Sequence, residues 1–87
     1  MKKAVIARTT DGDVKALPVF IQRDDDGWYV AECPVFDGCF TQGKTVDEAL
    51  LNIREVIELV LEEPDQRERL EAYDPVGSGV YSVAVRA

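Results

Sequence analysis

The side chains able to do chemistry in this chain are mostly carboxylates. Asp24, Asp25 and Asp26 stand together before Gly27, with Glu32 and Asp37 close behind. Two-metal phosphoryl chemistry needs several carboxylates converging on ions ~3.5–4 Å apart. Three neighbours in one turn rarely converge on one ion, and this run lacks the glycine and terminal glutamate of a calcium loop. The spacing fits a solvated hairpin turn, so no metal ligand and no catalytic residue is expected. There is no histidine, which removes the commonest general base and metal ligand. Cys33 and Cys39 are six apart with no second pair, so they are not a zinc motif. Each falls in an expected strand, which favours a buried free thiol over a hairpin disulfide. Gly43-Lys44-Thr45 resembles the end of a phosphate loop but lacks its upstream glycine. No cofactor motif is present. The chemistry points away from an enzyme and towards a binding protein.

The bulk numbers narrow the partner. Seventeen acidic residues against ten basic ones give a net charge of −7. Phosphate backbones are bound by clustered Lys and Arg, so direct DNA binding is not expected. A basic protein partner is favoured by steering. No apolar run reaches membrane-spanning length, and no hydrophobic signal region follows Lys2 and Lys3. A reduced cytoplasm is the expected location. Eighty-seven residues make one domain, 1–87, with its core over about 15–87.

The elements that must position these residues centre on one helix. Thr45 and Glu48 form a capping box: the Thr45 hydroxyl takes the Glu48 backbone N–H, and the Glu48 side chain reaches back to the Thr45 N–H. Val46, Ala49, Leu50, Ile53, Val56, Ile57, Val60 and Leu61 follow at helical spacing and form an apolar stripe. Pro64 stops the pattern. Leu51 and Leu59 fall on the polar side, as surface leucines or as residues covered by a partner or by the segment after Pro64.

Upstream, Lys3–Arg8 and Val14–Arg23 read as strands around the Asp11-Gly12 turn. Pro18 lacks an N–H, so it belongs at a strand end or an edge. Leu17, Val19 and Ile21 share one face, with Phe20 and Gln22 on the other. Trp28–Cys33 is the next strand, with Trp28, Val30 and Glu32 opposite Tyr29, Ala31 and Cys33. Pro34–Gly38 is a turn or wide loop, Gly38–Gln42 a third strand, and Gly43 releases the chain into the helix. Either a short helix or an irregular excursion fits Pro64–Asp74. Val80–Arg86 reads as a last strand with Tyr81, Val83 and Val85 on one face. The fold class is α+β, in the order β-β-β-α-β with a possible extra N-terminal strand: one long helix on a mainly antiparallel sheet. One helix covers one sheet face, yet several strands are apolar on both, so the second face also needs cover. Another copy of the chain is the expected cover. Phe20, Trp28, Tyr29, Leu51 and Leu59 are the candidate partner-binding residues.

The run from Asp26 to Leu61, DGWYVAECPVFDGCFTQGKTVDEALLNIREVIELVL, resembles the HicB antitoxin family. The resemblance rests on Gly27-Trp28-Tyr29, Pro34, Gly38-Cys39 and the T-Q-G-x-T segment Thr41–Thr45. Glu48-Ala49 and Asn52-Ile53 in the helix also match. Pro34, Gly38, Cys39, Gly43, Thr45 and Glu48 are its structural motif residues. The resemblance implies a bacterial protein with a partly degraded RNase H-like fold, in which the last strand lies parallel beside the first. It implies dimers or tetramers, and a small basic HicA-type toxin, an mRNA-cleaving enzyme, as partner. A metal-dependent RNase H-like nuclease and an orphan homo-oligomer without toxin are the alternatives. Two departures stand out. Asp37 occupies the position of the usual proline before Gly-Cys. Typical members also continue into a DNA-binding segment, so the expectation here is a stand-alone domain without one.

Overall fold

The computed structural model describes residues 5–8, 14–77 and 82–86. Among them the elements run β1 (Val5–Arg8), β2 (Val14–Leu17), β3 (Phe20–Arg23), β4 (Tyr29–Glu32), β5 (Phe40–Gly43), α1 (Val46–Val60) and α2 (Pro64–Ala72). The protein is α+β, with a three-stranded antiparallel sheet and two helices.

The strand expected over Val14–Arg23 is broken in two. β2 pairs antiparallel with β1, Val5 opposite Leu17 and Arg8 opposite Val14. β3 instead joins the sheet β3-β4-β5. The break falls at Pro18 and Val19. Proline has no N–H for the ladder, so pairing stops there and the chain changes sheets. The anticipated Asp11-Gly12 turn lies outside the described residues.

The β3–β4 turn is closed by Asp24. Its carboxylate accepts from the backbone N–H groups of Asp26 (3.0 Å) and Trp28 (2.8 Å), and its own N–H donates to the Trp28 carbonyl (2.8 Å). Gly27 takes φ +87°, which a side chain would resist. The β4–β5 connection holds Pro34–Gly38, and the Cys33 N–H donates to the Cys39 carbonyl at its base. Phe36 in this loop turns inward and is buried.

α1 begins where the cap motif places it. The Glu48 N–H donates to the Thr45 hydroxyl oxygen (3.0 Å). The return half of the capping box is corrected: the Glu48 carboxylate accepts from the Lys44 N–H (3.2 Å), one residue before the cap. Ala49, Ile53 and Ile57 are buried, with Leu50, Val56, Val60 and Leu61 packed around them. Of the eight stripe positions only Val46 is exposed. α1 lies on β5 and β4. Its close seat requires Gly43, since a Cβ there would stand 2.5 Å from the Ala49 nitrogen.

The segment after Pro64 is a helix. Proline suits its first turn, where N–H groups have no intrahelical acceptor. Leu70 is its buried anchor. Its C-terminal carbonyls are gathered by one cation: Lys15 Nζ donates to Leu70 O (2.9 Å), Glu71 O (2.8 Å) and Tyr73 O (2.6 Å). A cation is favoured at that end of a helix, so β2 and α2 are tied across the chain. Asp37 ties the same helix to the β4–β5 loop by a bidentate pair with Arg69 (2.8 and 3.2 Å).

The last expected strand is corrected in its described part. Residues 82–86 belong to no strand, and Val83 and Val85 are exposed. Val80 and Tyr81 lie outside the described residues.

Candidate functional site

The two faces of the β3-β4-β5 sheet differ. Strand alternation turns Ile21, Ala31, Thr41 and Tyr29 towards α1. Ala31 and the flanking Cys33 and Cys39 are buried, and Ile21 and Tyr29 pack on the same core. Among the described residues no element packs on the other face.

Register assembles that outer face in rows. Phe20 lies opposite Glu32 and Glu32 opposite Phe40, so two phenyl rings flank one carboxylate across the three strands. The next row is Gln22, Val30 and Gln42. Phe20 is 42% exposed and Phe40 63%. With Gln22, Val30 and Glu32 they line an open cleft of about 380 Å³. The Glu32 carboxylate makes no hydrogen bond or ion pair with the described residues.

Beyond these rows, Trp28 is half-buried and Lys44 Nζ lies 5.8 Å from its ring centroid. That is cation–π distance. Asp26, Gly27, Trp28 and Lys44 border a smaller hollow of about 240 Å³.

The candidate partner-binding residues are therefore dispersed. Phe20 and Trp28 share the outer sheet face. Tyr29 sits on the inner face against the core. Leu51 and Leu59 are exposed on α1, 59% and 65%, on the opposite side of the molecule. They stand two turns apart, roughly 12 Å along the helix. α2 leaves both uncovered. Phe40 was not among the candidates. Its outward direction follows from the inward Cys39 beside it, but its alignment with Phe20 depends on strand register, which the loops set.

The carboxylates named above do not converge. Asp24 is committed to its turn and Asp37 to Arg69, while Glu32 lies on the outer face. Among the described residues, no three His, Cys, Asp or Glu side chains form a group able to hold a metal. Cys33 and Cys39 are free, buried thiols; they lie not within strands, as expected, but one residue past β4 and one residue before β5. Burial raises both above the ordinary thiol value of 9.0. Cys39 is pushed up to about 11, with the neighbouring Cys33 adding to the effect of burial. They are poor nucleophiles in the folded protein. Among the described residues no helix is long and apolar enough to cross a membrane.

Comparison with known sequences places the chain in a family. The family model described as "HicB_like antitoxin of bacterial toxin-antitoxin system" matches residues 17–83. The chain belongs to the HicB-like antitoxin family. It is also similar to a UPF0150 protein of Synechocystis sp., 58% identical over 45 residues, which are 52% of this chain and 65% of that one. A UPF0150 protein of Thermoplasma acidophilum is 54% identical over 44 residues, 51% of this chain and 64% of that one. One from Helicobacter pylori is 51% identical over 41 residues, 47% of this chain and 56% of that one. The matched stretch thus spans less than two thirds of each of these relatives. No solved structure matches.

The family match covers all of β3, β4, β5, α1 and α2. The exposed face, its flanking edges and the helix that backs it all lie within this shared region.

Proposed function

We propose that this protein is the antitoxin of a type II toxin–antitoxin pair, and that it binds and masks a small basic HicA-type toxin that cuts messenger RNA. The observation that carries the reading is the family match over residues 17–83. The charge of −7 supports it, because an acidic protein steers a basic one into contact. The uncovered sheet face supports it as well, since the exposed rings of Phe20 and Phe40 beside the Glu32 carboxylate offer a basic protein both contact area and opposite charge. The role is non-enzymatic and cytoplasmic, where Cys33 and Cys39 stay reduced. The fold is read as partly degraded RNase H-like, supported by three antiparallel strands followed by a covering helix.

The decisive experiment starts from the open reading frame adjacent to the gene. Co-expressed with a small basic protein encoded there, this chain should co-purify with it and relieve its growth arrest. Addition of the chain to the toxin in vitro should stop mRNA cleavage. A neighbouring basic protein that neither binds nor is inhibited would overturn the reading.

A second reading is favoured by the same uncovered face: self-association into a dimer or tetramer, with or without a toxin. Solution mass compared with the mass of one chain distinguishes it.

A further inference from the structure

The outer sheet face holds two aromatic positions with different occupancy. At Trp28 a cation is already in place, the Lys44 ammonium 5.8 Å from the ring centroid. At the other position two exposed rings flank a carboxylate. Phe20, Glu32 and Phe40 are in direct cross-strand register, so the row cannot shift without breaking the sheet. Neighbouring strands stand ~4.8 Å apart, which puts the two phenylalanine backbones ~10 Å apart on either side of Glu32. That span admits a flat group between the rings, resting on the carboxylate.

We propose that the Phe20–Glu32–Phe40 row is a receptor for one arginine side chain of a basic protein partner. The inference rests on the antitoxin reading for the partner, and on the row's own geometry for the side chain.

Three features select arginine. A guanidinium is planar, stacks on aromatic faces and presents paired donors to a carboxylate. A lysine ammonium offers one point charge and no plane to stack. Gln22 and Gln42 in the next row add amide oxygens within the same surface, and Val30 between them gives the arginine stem an apolar floor. The protein's own charge is complementary: seventeen acidic residues against ten basic, with Glu32 unpaired among the described residues. A carboxylate set between two exposed rings weakens the face as a site for an apolar strand and suits it to a cation. Folding does not need it there, because the opposite face supplies the core.

The test uses the full chain and three short peptides, identical except at the central residue. In acetyl-Thr-Val-X-Val-Thr-amide, X is arginine, lysine or citrulline, the last being neutral and close to arginine in shape. Backbone amide shifts are followed by NMR as each peptide is added. The arginine peptide should give saturable shifts confined to β3, β4 and β5. Lysine should bind at least threefold more weakly, and citrulline should produce no saturation. Glu32→Gln and Phe40→Ala should each weaken the arginine peptide about tenfold, while melting curves show both variants folded. Equal binding of arginine and citrulline, shifts elsewhere on the molecule, or no loss in Glu32→Gln would overturn the proposal.

The toxin provides a separate arm. If the wild-type chain binds it, Glu32→Gln and Phe40→Ala should each weaken that complex at least tenfold. An undisturbed complex would sink the arginine receptor and leave the antitoxin reading intact. If the wild-type chain binds no toxin, the antitoxin reading falls and the peptides alone decide the receptor. A dimer that Phe40→Ala converts to monomer, with no arginine binding in either form, would assign the face to a second copy and overturn the proposal.

Discussion

The same three strands present two faces built on opposite terms. On the inner face Ala31, Cys33 and Cys39 are buried, and the apolar stripe of α1 closes over them. On the outer face Phe20 and Phe40 stand exposed around a carboxylate. Strand alternation alone creates the two faces. What separates them is the helix, which covers only one. Stability should therefore reside inside, and recognition outside. Substitutions that treat the two faces alike in the sequence should behave differently in the protein.

The largest effects belong to the inner side. Phe36→Ala removes a buried ring from the loop between β4 and β5 and should cost ~3–5 kcal/mol. Gly43→Ala should cost on the order of 3 kcal/mol by overpacking, although it adds one methyl. The added Cβ would meet the Ala49 nitrogen at 2.5 Å and the Ala49 Cα and Glu48 carbonyl carbon at 2.9 Å. These are backbone atoms at the start of α1 and cannot rotate aside. Urea unfolding of both variants measures the losses. A Gly43→Ala protein as stable as wild type would mean that α1 does not seat against β5 as described.

Next in size is a pH effect from the buried thiols. The folded state raises Cys39 from 9.0 to about 11, and Cys33 in the same direction, so it holds these protons more tightly than the unfolded chain. The Cys39 contribution is fully present below pH 9, should fall as pH rises from 9 to about 11, and level off above, with Cys33 adding a decline of the same sign. The loss from Cys39 is on the order of 2–3 kcal/mol. Unfolding free energies at successive alkaline pH values should show this decline, and Cys39→Ala should flatten it. An unchanged slope in that variant would place the alkaline sensitivity in another group.

Much of this inner side was legible in the sequence, and the reason is periodicity. The stripe from Ala49 to Leu61 and the alternation through Leu17, Val19 and Ile21 both identify core positions from local spacing. Thr45 and Glu48 marked the start of α1 to the residue. The cap itself should be worth ~1 kcal/mol, so Thr45→Ala is the next smaller prediction, read as a lower melting temperature with an unchanged fold. An unchanged melting temperature would show that Glu48, through its bond to the Lys44 N–H, holds the first turn unaided.

Other features depend on contacts between distant segments, which spacing does not encode. Lys15 sits in an ordinary strand pattern, yet its ammonium closes the C-terminus of α2 across more than fifty residues. Pro18 was legible as a strand end, but not as the point where the chain leaves one sheet for another. Asp37 read as a substitute turn residue. In the structure it also pairs with Arg69, and its N–H faces the Gln66 side chain at 3.4 Å, a donor that proline at this position would lack. The candidate site fell between these cases. Alternation separated Phe20 from Val19 and Ile21, and Glu32 from Tyr29 and Ala31, without telling which face is outward. The alignment of Phe20 and Glu32 with Phe40 required the pairing of β3, β4 and β5.

The smallest stability effect should come from the outer face, and it is the one that most sharpens the contrast. Phe40→Ala removes a ring of the same size as Phe36, but from a site already 63% exposed. Substitutions at exposed positions usually stay within about 0.5 kcal/mol, and that is the range expected in urea. The two phenylalanines lie four residues apart, Phe36 in the connection between β4 and β5 and Phe40 at the first position of β5. Composition and local propensity do not separate them, so a tenfold or larger difference in equilibrium effect must come from which face covers the ring. A loss above ~1.5 kcal/mol in Phe40→Ala would mean that the outer face is packed in the free protein. If that loss also grew with protein concentration, the packing would come from a second copy, since only an associated state gains stability by mass action.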